Sequence, residues 1–169
     1  MPKWFMGVDP GVKGAISLFD PTDVSTLKVW DMPRAIEIVG KAKRKRAVVD
    51  EAGLATLIDD IAEMYLGEGI SAQIEQMTAM PDQSSMSGMS LGVSWGQVRM
   101  AMTYAGIEYA RVRPQQWKGV MGVSANKDTA LLACLDLFPD REPLWFGPMG
   151  ALLDGRCEAA LLAMYGSKL

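Results

Sequence analysis

Apolar residues recur along this chain with two different periods, and the switches between them delimit its elements. Lys3 to Val8 is a short apolar and aromatic run that stops at Asp9-Pro10-Gly11, and Gly14 to Phe19 alternates until Asp20-Pro21. Proline and glycine at these stops specify turns, so the chain is expected to open with a β-hairpin. Leu27 to Met32 reads as a third strand, and Pro33 to Lys45 as a loop or excursion. Asp50 is placed to cap a helix running to about Leu66, whose Leu54, Leu57, Ile58, Ile61 and Met64 fall on one face. Gly67 and Gly69 end it, and Ser71 to Glu75 predicts a short buried strand. Gln76 to Gly92, dense in Met, Ser and Gly, predicts a loop. Val93 to Tyr104 has helical spacing, Ile107 to Val112 reads as a strand, and Arg113 to Lys118 turns into a short helix. Ser124 or Asn126 can cap a helix through Leu137, which Pro139 closes. Pro143 to Pro148 predicts a loop, and Leu152 to Met164 a final helix. Three strands, then helix, strand, helix, strand and further helices argue for one α/β domain over residues 1–169, with a mixed five-stranded sheet flanked by helices.

Composition narrows the chemistry. A chain of 169 residues with 49% hydrophobic content has room for a real core. No apolar run approaches the roughly 18 residues of a membrane span. Cys134 and Cys157 sit in apolar helical patterns and read as buried thiols of a reducing compartment, so a cytoplasmic setting is expected. The sequence contains no histidine. Zinc bound through imidazole and Ser-His or Cys-His nucleophiles are thereby excluded. Acid-base work falls to carboxylates, lysines or metal-bound water.

The net charge of −3 conceals segregation. Ala47 to Val98 contains no Lys or Arg, whereas Lys41, Lys43, Arg44, Lys45 and Arg46 fill five of six consecutive positions. A looser set follows at Arg99, Arg111, Arg113, Lys118 and Lys127. An acidic pole beside basic patches suits a metal site flanked by phosphate contacts. Because phosphates supply most nucleic-acid affinity, Lys41, Lys43, Arg44, Lys45 and Arg46 are candidate phosphate contacts. Arg99, Arg113, Lys118 and Lys127 lie in segments returning toward the functional end of the sheet.

Four carboxylates stand where a metal could be held. Asp9 is at the tip of the first strand, before a glycine turn where a metal or phosphate can approach. Glu75 ends an apolar strand, a position that by itself signifies only emergence into solvent. Asp154 and Glu158, four apart on the last helix, share a face at about 6 Å. Asp154 equally suits a helix N-terminus. The combination is the signal: carboxylates brought together repel unless hard cations neutralise them. All-oxygen ligation selects Mg²⁺ or Mn²⁺, and two such ions about 3.5–4 Å apart would support phosphodiester hydrolysis.

Taken in order, Gly7-Val8-Asp9-Pro10-Gly11, Ile74-Glu75-Gln76, Gly96-Gln97-Val98-Arg99, Arg113-Pro114 with Trp117-Lys118, Lys127, and Asp154 to Ala163 resemble the RuvC family of Holliday junction resolvases. The resemblance spans nearly the whole chain. It implies a ribonuclease H-like fold, a homodimer, and metal-dependent symmetric nicking of four-way DNA junctions. It also implies that Asp9, Glu75, Asp154 and Glu158 are metal ligands and that Lys118 and Lys127 neutralise phosphate near the scissile bond. Met77 and Met80 would then belong to an apolar wedge entering the junction. Many bacterial members space the helical acids three apart, whereas four separate them here. Aligning Glu158 with the last acid leaves Gly155 opposite the other, with Asp154 displaced by one, and suggests a divergent, viral branch. Two other activities fit the same residues: a ribonuclease H-like nuclease acting on RNA–DNA hybrids or forks, and a non-catalytic junction-binding module. Actin-like kinases share the strand-Asp-Gly-turn opening but require a second domain for which there is no room. Trp117 either stacks on a base or anchors its short helix in the core.

Overall fold

The computed structural model describes residues 2–41, 43–78 and 84–169. Strands β1 (Trp4–Asp9), β2 (Ala15–Asp20) and β3 (Asp23–Asp31) form an antiparallel meander, as the two Pro/Gly turns require. A separate antiparallel hairpin follows, β4 (Arg34–Val39) and β5 (Arg44–Val49). Helix α1 (Glu51–Tyr65) leads to β6 (Ile70–Glu75), and helix α2 (Ser85–Tyr104) to β7 (Tyr109–Val112). The chain ends with α3 (Pro114–Met121), α4 (Lys127–Leu137), a short 3₁₀ segment (Pro139–Trp145) and α5 (Asp154–Gly166). The main sheet has the order β3-β2-β1-β6-β7, with β6 parallel to β1 and β7 parallel to β6. It is the mixed five-stranded sheet flanked by helices that the periodicity predicts. No helix among the described residues is long and apolar enough to cross a membrane.

Two segments differ from the sequence reading. Pro33 to Lys45 is largely strand rather than loop: Arg34 pairs with Val49 and Val39 with Arg44 across a turn at Gly40 (φ 71°) and Lys43 (φ 47°). The dense charge obscures the alternation, and Ile36 and Ile38 remain exposed on the hairpin, so no buried face betrays it. Gln76 to Gly92 is not all loop either. Helix α2 begins at Ser85, and the Ser84 hydroxyl caps it by accepting from the Ser87 amide at 3.2 Å. Its first turns are solvated, which is why their composition does not look like core.

Strand period decides which side chains reach which layer. Met6, Val8, Ala72 and Ile74 point toward α1 and α2, where Leu54, Ile58, Ile61, Val98 and Met102 complete one core. The alternate residues Gly7, Asp9, Gln73 and Glu75 therefore face the layer of α3, α4 and α5. There Trp117, Cys134, Phe138, Trp145 and Leu161 form the second core. Helix α5 lies almost against β1. A Cβ on Gly7 would come within 2.0 Å of the Ala159 carbonyl oxygen, and the buried Ser17 hydroxyl donates to that same oxygen at 2.8 Å. Only glycine permits this approach, and it brings the first turns of α5 over the end of β1.

Candidate metal centre

Strand geometry alone places two carboxylates together. Val8 and Ile74 are register partners in the parallel pair β1/β6, so the next residues, Asp9 and Glu75, end adjacent strands on the same face. Helix α5 crosses that face and adds Glu158 from one turn inside its N-terminus. Ligand oxygens of Asp9, Glu75 and Glu158 all lie within 4.8 Å of one another.

The electrostatics of this group are unfavourable without a cation. Asp9 is held at a pKa of about 7 instead of 3.8, first by burial and then by the charges of Glu158 and Glu75. Its one opposing contact is the Gly11 amide, which donates to Oδ1 at 3.4 Å. Glu75 is also pushed up, mainly by burial and further by Glu158, against a hydrogen bond from Trp117 and the charge of Lys118. Lys118 is the ammonium in direct contact with the three, its Nζ 2.7 Å from Glu158 Oε1, and Lys127 adds positive charge near Glu158 from further off. An all-oxygen donor set that repels itself fits a hard divalent ion.

The fourth acid behaves differently. The position three residues before Glu158 is Gly155, where a Cβ would sit 2.3 Å from the Lys13 carbonyl oxygen and 3.2 Å from Asp9 Oδ2. No side chain fits there, so the second helical acid stands one residue earlier. Asp154 is ion-paired with Lys127 and lies outside the cluster of three, although its charge still raises the Asp9 pKa. The four-residue spacing is therefore a consequence of how tightly α5 packs on the β1–β2 turn.

Trp117 has a role beyond the two its place in the sequence suggests. The residue is fully buried, as core packing requires, but its indole Nε1 also donates to Glu75 Oε1 at 3.0 Å. It is a positioning residue for a candidate ligand rather than a base-stacking platform. An aromatic directly before Lys118 is the only signal the sequence offers.

Of the described candidate DNA contacts, two lie at this centre and the rest lie elsewhere on the fold. Lys118 is beside the carboxylates, Lys127 is beside Asp154, and Arg113 is exposed at the start of α3. Lys41, Lys43, Arg44 and Lys45 are exposed on the β4–β5 hairpin, while Arg46 is half-buried and paired with Glu37 at 3.1 Å. Arg99 lies on α2, across the sheet from the carboxylates. Its guanidinium rests 4.4 Å from the Trp95 ring centre, and its Nε donates to the Tyr109 hydroxyl at 3.2 Å. Met77 is half-buried just past β6, and Met80 lies outside the described residues.

The layered sheet has solved counterparts. RuvC of Thermus thermophilus, in complex with a Holliday junction substrate, superposes with a TM-score of 0.58 at 14% identity, over 96% of this chain and 91% of that one. This chain has the RuvC fold. A second Thermus thermophilus RuvC structure gives a TM-score of 0.53 at 15% identity, over 98% and 95% of the two chains. The yeast mitochondrial Holliday junction resolvase Ydc2 gives 0.51 at 10% identity, over 98% of this chain and 78% of that one. No protein-family model matches the sequence, and no curated protein matches it at the sequence level. The RuvC-like, ribonuclease H-like architecture inferred from scattered motifs is thus present at an identity where sequence comparison alone finds nothing.

Proposed function

We propose that this protein is a metal-dependent, structure-selective DNA endonuclease that resolves four-way junctions by phosphodiester hydrolysis. The observation that carries this reading is the convergence of Asp9, Glu75 and Glu158 within 4.8 Å in a chain without histidine. Solved proteins of the same fold supply the substrate class, since two of them are described as acting on or binding Holliday junctions.

Asp9, Glu75 and Glu158 would hold Mg²⁺ or Mn²⁺, with Asp154 adding charge from one turn away. Bound there, two such ions would supply Lewis acidity and a water nucleophile at neutral pH. The protein's own groups then have separate tasks. Trp117 fixes the Glu75 carboxylate through its indole N–H, and the half-buried Asp9 presents its carboxylate from the end of β1. Lys118 orients Glu158 and places a positive charge where phosphate oxygens would approach. Lys127 does the same beside Asp154. The exposed cations of the β4–β5 hairpin would track a duplex arm, and Met77 with Met80 would enter the open junction.

A four-way junction presents two equivalent strands, which two copies of the chain would cut symmetrically. The groove between α1 and α2, lined by Leu54, Ala55, Met100, Ala101 and Tyr104, is the apolar surface on which a second copy would dock. Met100 and Tyr104 are 69% and 87% exposed in the single chain, so both are free to be covered.

The test compares cleavage of a synthetic four-way junction, a fork and an RNA–DNA hybrid, with Mg²⁺ and with EDTA. Paired nicks in the junction that require Mg²⁺, and their loss in Asp9→Asn with junction binding retained, are the expected result. Preferred cleavage of the hybrid or the fork would reassign the substrate. Junction binding without cleavage in any metal would leave a binding module.

A further inference from the structure

Beside the carboxylates lies a pocket of about 290 Å³, bounded by the β1–β2 turn, the start of β4 and the segment leading into α5. Its charges do not cancel. Asp31 is occupied by Arg156, whose Nε and Nη2 donate to the two carboxylate oxygens at 2.7 and 2.8 Å while Nη1 donates to the Leu144 carbonyl at 3.0 Å. Asp154 is occupied by Lys127. The remaining two charged side chains of the lining, Lys13 and Arg34, are exposed and form no ion pair among the described residues. The pocket therefore presents two cations outside any direct ion pair, Arg34 close enough to Asp31 for its charge to help hold that carboxyl down, against two acids that already have a closer partner.

Its position gives those cations a use. Gly155 is wedged between the Lys13 carbonyl and Asp9 Oδ2, so the wall of the pocket and the Asp9 carboxylate form one packed unit. A polynucleotide strand with one phosphate at the carboxylates has its neighbouring phosphate within reach of this wall, because successive phosphates along a strand are only several ångströms apart. We propose that the pocket is a phosphate subsite in which Lys13 and Arg34 hold the DNA backbone next to the phosphate being cut. This rests on the nuclease reading above and adds to it two residues that neither the motifs nor the charge clusters singled out. The bidentate Asp31–Arg156 pair lines it, and Arg34 is delivered by the hairpin whose tip carries the other basic residues. Tip and base of the hairpin would then engage the same substrate.

Lys13→Gln, Arg34→Gln and the double variant test this in the 169-residue chain, with Lys168→Gln, just past the far end of α5 and roughly 20 Å from its first turn, as a comparison. Junction binding is measured by fluorescence anisotropy in EDTA across a salt series, and Mn²⁺ affinity by calorimetry. Each pocket variant is expected to weaken junction binding several-fold and to lower the salt slope by about 1, as loss of a phosphate contact does. Mn²⁺ affinity and the unfolding midpoint should stay at wild-type values. Unchanged affinity and slope in the variants, with wild type binding well, would overturn the subsite alone. An equal effect of Lys168→Gln would overturn it too, since net charge would then suffice. A wild-type chain without junction affinity would overturn both this proposal and the nuclease reading.

Discussion

Replacing Asp9 by Asn should make the metal-free protein more stable at alkaline pH while abolishing its response to metal. Folding raises the Asp9 carboxyl from 3.8 to about 7. A carboxyl whose pKa rises on folding binds its proton more tightly in the native state. The native state is therefore unpenalised below about pH 4, loses stability progressively up to about pH 7, and carries the full cost above that. A shift of about 3 units corresponds to a ceiling of about 4 kcal/mol. Asparagine removes that charge but buries an amide with unfilled hydrogen bonds, returning about 1–2 kcal/mol. The net gain at pH 8 in EDTA is then about 2–3 kcal/mol, or roughly 4–12 °C in Tm for a domain of this size. Thermal unfolding of both proteins at pH 4, 6 and 8, with EDTA and with Mn²⁺, reads this directly. At pH 4 the variant should have no advantage, and Mn²⁺ should raise the wild-type midpoint only, because the ion binds the native cluster. A variant less stable than wild type at pH 8 in EDTA, or a difference that does not vary with pH, would refute the reasoning.

Trp117→Phe keeps the buried ring but deletes the donor to Glu75, so it should cost about 1.5–3 kcal/mol and raise the Glu75 pKa further; the measurements are urea unfolding and Mn²⁺ affinity, which should fall as well. Gly155→Ala drives a Cβ into the Lys13 carbonyl. It should cost about 3 kcal/mol in unfolding experiments and displace the β1–β2 turn, lowering cleavage along with stability. Changing Lys41, Lys43 and Arg44 to Gln at the hairpin tip should leave Mn²⁺ binding intact and flatten the salt slope of junction binding by about 2–3. Met100→Glu with Tyr104→Glu should leave a folded monomer by sedimentation, with junction nicking no longer paired on the two strands.

The parts of the site that were legible in the sequence are those set by local rules. Asp9 and Glu75 each end a short apolar run bounded by turn residues, and strand period puts them on one face once the two strands pair. Glu158 follows from helical spacing. What the sequence could not settle depends on contacts between distant segments. Whether Asp154 joins the cluster is decided by the abutment of Gly155 on the Lys13 carbonyl, and nothing near either residue announces that contact. The Trp117 hydrogen bond depends on where β6 ends beneath α3. The β4–β5 hairpin escaped because Ile36 and Ile38 are exposed and its cations dominate the pattern. A hydrophobic period reveals a strand only when one face is buried. The same reason hides the solvated first half of α2, whose polarity resembles a loop although Ser84 caps it.

The central claim is that Asp9, Glu75 and Glu158 form a divalent metal centre. Anomalous diffraction from a crystal soaked in Mn²⁺ tests it most directly. Mn²⁺ is expected between these three carboxylates, with Asp154 at the margin and the peak absent in Asp9→Asn. A protein that cuts junctions while Mn²⁺ binds elsewhere, or leaves these carboxylates without an ion at saturating concentration, would contradict it.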